Sequence, residues 1–410
     1  AKTMPIDTDP IAPERAETTR YETATSLWAY ADISDVVTRG QRSTADSKED
    51  AEWLKQTEHQ TKLALQGFGF QAKLLQSKLT PNAALLKFQG SANLTVDQVL
   101  RKQTEFKTTY GLSLVSIQPE PGQVALAIER PLRQVVRLED LWSRWNPLAT
   151  NGNQNLVIAI REDNGELLML SPQRNAPHTL IAGSTGSGKS VLMQNIILSI
   201  AATNTPTQAQ ILLIDPKLGV DYFAFDDLPH IKGGLIDTQE RALEELESLV
   251  GEMDDRYRKF KAARTSNLAT YNQKVEAGAQ LPVIWLIHDE FAEWMLVEEY
   301  KQQVTSIVGR LGVKARAAGI YLVFAAQRPD ANVMPMQLRA NLGNRLILKV
   351  DSEGTSEIAL GTKGAERLLG RGHLLAKLEG EPNVLFGQVP LIDDEVIEQI
   401  VSITAAGSNR

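Results

Sequence analysis

A chain of 410 residues, 42% hydrophobic and 23% charged, has ordinary globular composition and room for two or three domains. With no cysteine and five histidines, disulfides and thiolate metal centres are excluded and a zinc site is disfavoured. The net charge of −7 gives no whole-molecule attraction for nucleic acid, so such a contact must rest on a local basic surface. No apolar run reaches the roughly 18 to 20 residues that span a bilayer, and the N-terminus AKTMPIDTDPIAPER has no basic-then-apolar signal pattern, so a cytoplasmic location is expected.

Residues 1–48 are rich in Thr, Asp, Pro and Arg, with one apolar island at SLWAYADISDVV, and read as an arm or linker. Residues 49–145 open with an amphipathic helix in KEDAEWLKQTEHQTKLALQGFGF that stops at Gly67. A strand NAALLKFQG, a helix TVDQVLRKQTEFKTTYG, strands LSLVSIQPEPG and QVALAIERP, and RQVVRLEDLW complete a small α+β domain. Residues 146–400 begin with a hairpin, QNLVIAIREDNGELLMLS, turning at EDNG. The apolar runs HTLIAG, QILLIDP, VIWLIHDE, IYLVFAAQ and RLILKV then alternate with helical stretches, which predicts an α/β domain with a mostly parallel sheet. Residues 401–410 read as a tail.

Within HTLIAGSTGSGKSVLMQ, residues Gly183, Ser184, Thr185, Gly186, Ser187, Gly188, Lys189 and Ser190 satisfy G-x-x-x-x-G-K-[ST], and Val191 follows in the helix. The glycines let backbone N–H groups curl around an anion at a helix N-terminus, Lys189 reaches the terminal phosphates, and the Ser190 hydroxyl suits magnesium. The pattern predicts a site for ATP and Mg2+; the competing reading is a chance glycine-rich loop. The run LPVIWLIHDEFAEWM delivers Asp289 and Glu290 to the C-terminal edge of the sheet, Asp289 to hold the metal through water and Glu290 to orient or deprotonate the attacking water. Two acids capping the next helix are the alternative. Gln327, ending IYLVFAAQ, suits a γ-phosphate sensor or simply a strand end entering a turn.

Taken together, HTLIAGSTGSGKSVLMQNIILS, LLIDPK, LPHI, EMDDRYRKF with NLATYNQKV, LPVIWLIHDEFAEWM, KARAAGIYLVFAAQRP, LRANLGNRLILKV and GAERLLGRGHLL resemble, in the same order, the FtsK/SpoIIIE family of DNA translocases. GQVALAIERPLRQVVRLEDLW resembles the small α domain that precedes the motor in that family, and DPKLGVDYFAFDDLPHI resembles FtsK-like motors of DNA phosphorothioation-dependent restriction systems. The resemblance implies a RecA-like P-loop ATPase acting as a homo-oligomeric, hexameric ring that pumps double-stranded DNA. It implies Arg316 in KARAAG as an arginine finger, with Arg345 a lesser candidate; the competing reading is a solvated helix-surface cation, which Lys314 and Arg310 also fit.

On DNA contact the sequence departs from the resemblance. Arg339 matches a basic central-loop position, but DSEGTSE places Glu353 and Glu357 where the family carries a lysine and an arginine. Carboxylates repel phosphates, so Lys363, Arg367 and Arg371 are the further candidates for grip. No membrane region or C-terminal winged helix is read, which leads to the expectation of a minimal motor. An FtsK-like ATPase that moves protein, similar to those of type VII secretion, and a conjugative DNA pump are the alternatives.

Overall fold

The structure, a computed structural model, describes residues 30–39, 48–145 and 153–408. Helix α1 (Tyr30–Arg39) falls inside the stretch expected to be an arm, and it is packed: Ile33 and Val37, four apart on one face, are fully buried. The apolar island was the signal for it.

The small domain contains α2 (Lys48–Gly67), β1 (Leu74–Leu79), β2 (Ala83–Gln89), α3 (Val96–Leu100), α4 (Gln103–Tyr110), β3 (Leu114–Glu120) and β4 (Gln123–Glu129), and α5 (Leu138–Trp145) follows. Its antiparallel sheet has the order β1-β2-β4-β3. Alternation along β2 and β4 sorts the side chains: Ala84, Leu86, Phe88, Val124, Leu126 and Ile128 pack with Ala64 and Leu65 of α2 and Phe106 of α4. Ala83, Leu85, Ala125 and Ala127 form a second, shallower layer against Leu369. The edge strand β1 was not anticipated, because LLQSKL alternates poorly and is only partly buried.

The larger domain continues with β5 (Leu156–Arg161), β6 (Leu167–Leu170), β7 (Thr179–Ala182), α6 (Lys189–Thr203), β8 (Ala209–Ile214), α7 (Gln239–Ala263), α8 (Leu268–Lys274), β9 (Val283–His288) and α9 (Phe291–Trp294). It ends with α10 (Glu298–Ala318), β10 (Ile320–Ala326), α11 (Met336–Asn341), β11 (Asn344–Leu348), α12 (Glu353–Leu360), β12 (His373–Lys377), β13 (Leu385–Gln388) and α13 (Asp394–Ser408). Strand order is β6-β5-β13-β12-β11-β7-β10-β9-β8. The five strands from β11 to β8 are parallel, and the other four extend the sheet antiparallel on one side. Helices cover both faces. Helix α6 is apolar nearly all round because it is sandwiched between the sheet and α1 and α13. Helix α13 runs through residues expected to be a tail, burying Val401 and Thr404.

From β7 the chain crosses to the far edge at β8, returns through β9 and β10, and then adds β11 on the other side of β7. That reversal makes the C-terminal end of β7 the topological switch point, where open parallel sheets hold ligands. Arg133 ties the small domain to this end of the motor: its guanidinium donates to Asn82 Oδ1 (2.6 Å), Gly370 O (3.0 Å) and Gln388 Oε1 (3.1 Å). No helix among the described residues is long and apolar enough to cross a membrane.

Candidate nucleotide site

The glycine-rich loop after β7 is anchored to both neighbouring strands. Gly183 N donates to Ala326 O (3.2 Å), while Ser184 donates to Lys349 O through its N–H (2.8 Å) and its hydroxyl (3.0 Å). Two positions require glycine on steric grounds. A Cβ on Gly183 would lie 2.5 Å from Ser187 Oγ, and one on Gly188, whose φ is +100°, would lie 2.6 Å from Gly372 N. Gly372 N donates to Ser187 O (2.7 Å) and Arg371 N to Gly186 O (3.2 Å), so Gly370–Gly372 backs the loop. Helix α6 then begins at Lys189 with its first N–H groups unpaired within the helix and its positive end toward the loop. This is an anion cradle.

The catalytic candidates converge on it. Lys189 forms a buried ion pair with Asp289 and lies 3.4 Å from Glu290 Oε2. Burial alone would lower the ammonium pKa, but the Asp289 and Glu290 carboxylates outweigh it and hold the value above the ordinary lysine range. Burial pushes the Asp289 carboxyl up, and Lys189 followed by the Tyr222 hydroxyl pulls it below the usual range. Glu290 sits at φ 41°, a left-handed conformation costly for a side-chain-bearing residue. Its N–H donates to Asp289 Oδ1 (2.8 Å), and its Oε1 accepts the backbone N–H of Gln327 (3.0 Å). Glu290 Oε2 is buried without a hydrogen-bond partner. The structure therefore joins Gln327 to the site through its backbone, where the sequence suggested its side chain.

Sequence reasoning gave no role to the segment after β8. Tyr222, fully buried, donates its hydroxyl to Asp289 Oδ2 (2.7 Å), and burial followed by the Asp289 charge raises its pKa well above the ordinary value, so it remains a donor. Ser190 Oγ donates to Asp221 Oδ2 (3.0 Å). Lys217 Nζ lies 3.6 Å from Glu290 Oε2. The signal was present: LLIDPK ends an apolar strand in an acid, as LIHDE does.

For a divalent cation the donor set is a hydroxyl, Ser190, with Asp289 and Asp221 nearby, and no group of three or more His, Cys, Asp or Glu side chains suited to a metal occurs among the described residues. That set fits magnesium, which keeps waters and substrate phosphates as ligands, better than a metal caged by protein.

Other candidates are distributed elsewhere. Arg316, exposed near the end of α10, donates to Asn175 O (2.5 Å) and pairs with Glu379 (3.4 Å) at the opposite edge of the sheet, a β10 length or about 20 Å from the cradle. Arg345 is half-buried and donates to Ala359 O (3.1 Å) and Arg339 O (3.3 Å), so its hydrogen bonds support its own chain. Lys314 lies over the Tyr257 ring and Arg310 pairs with Asp254 at 3.9 Å.

The candidates for DNA grip lie on different elements. Arg339 lies on α11, its Nε buried without a partner. Lys363 and Arg367 border a cleft of about 670 Å³ between the two domains and pair with Glu353 (2.6 Å) and Glu366 (3.1 Å). The Arg371 backbone is bonded to the glycine-rich loop. DSEGTSE, the segment with glutamates where the resemblance implies basic residues, largely forms helix α12, capped by Ser352, which accepts Thr355 N–H (3.2 Å). Glu353 stands in its first turn, where a carboxylate favours the helix dipole.

Residues 142–331 match the model of the FtsK/SpoIIIE family. The DNA translocase FtsK of Clostridium acetobutylicum is 32% identical over 358 residues, covering 86% of this chain and 46% of that protein. The chain spans about half the length of the curated relatives it matches. Among solved structures, the pCW3 conjugation coupling protein TcpA, in a monomer form with ATPγS, aligns with a TM-score of 0.58 at 22% identity, covering 82% of this chain and 95% of that one. The cytoplasmic domain of the Thermomonospora curvata type VII secretion ATPase EccC aligns at 0.53 and 24% identity, covering 63% of this chain and 32% of that one. The fold is that of a P-loop ATPase with a small domain in front, and the chain belongs to the FtsK/SpoIIIE family.

Proposed function

We propose that this chain is the motor of a homo-oligomeric, hexameric ring that hydrolyses ATP with Mg2+ to drive double-stranded DNA through its centre. The observation that supports the reading is the distance between two sets of candidate residues. Lys189, Asp289 and Glu290 meet at one edge of the sheet, while Arg316 is exposed at the other, too far to serve its own chain.

In this reading the N–H groups of Gly183–Val191 and the Lys189 ammonium receive the phosphates. Ser190 and Asp289 would hold magnesium, which supplies charge neutralisation between the phosphates. Lys189 exchanges its carboxylate partners for phosphate oxygens, which frees Asp289. Glu290, held by the Gln327 N–H, orients the attacking water and accepts its proton as the water oxygen bonds to the γ-phosphorus and the bridging bond breaks toward ADP. Arg316 of an adjacent subunit stabilises the charge on the transferring group. Among the residues that face DNA, Arg339 is the best placed, because Lys363 and Arg367 are engaged by carboxylates.

That pairing, with the net charge of −7, favours a second reading in which the same motor moves protein. The test is the ATPase rate of the purified chain with and without linear duplex DNA. A severalfold rise supports DNA translocation; steady hydrolysis indifferent to duplex at low and moderate salt supports the second reading.

A further inference from the structure

After β8 the chain hooks back over the end of α6, and the hook is held rigidly. Asp215 accepts the N–H groups of both Lys217 (3.0 Å) and Gly219 (2.9 Å). Between them Leu218 is exposed at φ 61°, a left-handed conformation that favours glycine. Gly219 follows at φ 73°, where a Cβ would lie 2.5 Å from Leu235 Cδ2. Further on, Gln194 Nε2 donates to Asp221 O (3.0 Å) and Tyr222 is fixed on Asp289. Strain of this kind persists only where its surroundings over-determine it. Its result is the placement of the Lys217 ammonium 3.6 Å from Glu290 Oε2.

The two oxygens of Glu290 differ in their surroundings. Oε1 accepts the Gln327 N–H, whereas Oε2 is buried, lacks a hydrogen bond and lies between two ammonium groups, Lys189 at 3.4 Å and Lys217 at 3.6 Å. Phosphate binding claims Lys189. Among the described residues, Lys217 is then the cation left within ion-pair reach of Oε2.

We propose that Lys217 is a positioning residue for Glu290. As Lys189 turns to the phosphates, Lys217 closes on Oε2 and holds the carboxylate toward the attacking water. The Lys217 side chain is 42% exposed, so it moves on its stem without first leaving a buried site. This inference rests on the ATPase reading above.

The test compares Lys217→Met, which keeps most of the stem and removes the charge, with Lys217→Arg in the full chain. Steady-state kcat and KM for ATP and the affinity for a fluorescent ATP analogue are measured. Lys217→Met is expected to lower kcat by roughly ten- to a hundredfold, a share of what a general base contributes, with analogue affinity within about twofold of the parent. Lys217→Arg should recover most of the rate. In a Glu290→Gln background, Lys217→Met should change the residual rate no further, because the group it positions is gone. An unchanged kcat overturns the proposal, and so does an affinity that falls in step with kcat, which would make Lys217 a phosphate ligand. A parent chain that hydrolyses no ATP with or without duplex DNA removes the ATPase reading and this proposal together; a hydrolysing parent matched by Lys217→Met removes only this one.

Discussion

Lys189 and Asp289, 100 positions apart in the chain, meet as a buried ion pair at the C-terminal edge of the sheet. The pair joins the glycine-rich loop after β7 to the end of β9 across the intervening β10, and the same ammonium lies within reach of Glu290. Removing one partner of a buried pair leaves the other charge uncompensated. Lys189→Ala is therefore expected to abolish hydrolysis, weaken nucleotide binding and cost about 3–5 kcal/mol of stability. Denaturant unfolding and nucleotide titration check it together. Parent-like nucleotide affinity in this variant would rule out Lys189 as the phosphate clamp.

Glu290→Gln separates binding from chemistry. The amide oxygen can still accept the Gln327 N–H, so the local fold survives, but the group no longer takes a proton. Nucleotide affinity should stay near the parent value while turnover falls by roughly a hundredfold or more. Near-normal turnover would mean that the base lies elsewhere.

The sheet, the glycine-rich loop and both acids after β9 were legible because each is written locally: apolar runs of strand length, a motif with fixed spacing, and charge at a strand end. What was not legible depends on non-local contact. The contact of Lys217 with Glu290 arises from a hook strained at Leu218, and nothing in DPKLG states where its lysine points. Arg371 read only as a candidate for DNA grip, and the bond of its backbone N–H to Gly186 was not foreseen, because the turn Gly370–Gly372 returns to the loop from more than 180 residues away. Helix α12 was missed because Ser352 is an effective cap only once the chain before it is extended.

Arg316 should act in trans. Each homogeneous mutant, Arg316→Ala or Glu290→Gln, is expected to be nearly inactive, with losses of roughly a thousandfold or more for the arginine if it serves as a finger. Mixed oligomers should regain activity wherever an intact Arg316 faces an intact Glu290. Recovery is read as ATPase rate against mixing ratio in assemblies shown to contain both variants; absence of recovery at every ratio argues for a site complete within one chain.

Three buried histidines predict acid sensitivity. Burial lowers the pKa values of His178, His230 and His288 from the ordinary 6.5 to about 4. Between those values the unfolded chain binds more protons than the folded one, so stability falls as pH drops from 6.5 toward 4. At 1.36 kcal/mol per pH unit, each histidine withdraws about 2 kcal/mol between pH 7 and pH 5. His178 is the most exacting, since its Nδ1 accepts Leu322 N–H (3.1 Å) and cannot do so when protonated. Thermal midpoints at the two pH values check the prediction; equal midpoints would mean that these rings already carry charge in the folded chain or are hydrated there.

The pairing of Lys363 with Glu353 gives a sharper test of DNA grip than charge reversal. Their 2.6 Å contact spends a cation that would otherwise be free for phosphate, and both side chains are about half exposed, so duplex DNA must compete with the carboxylate for it. Glu353→Gln releases Lys363 while leaving the Ser352 cap on α12, so the helix should persist. If Lys363 faces DNA, the variant should bind duplex more tightly at low salt, and its log–log salt slope should steepen by about one unit, the release expected for one added phosphate contact. Arg339→Ala should flatten the slope by a similar amount with little change in sequence preference. The DNA-free ATPase rate of both variants should match the parent, because neither residue touches the nucleotide site. Unaltered duplex affinity and unaltered slopes in both variants would remove α11 and α12 from the DNA path and leave the protein-moving reading as the one favoured by the paired cations.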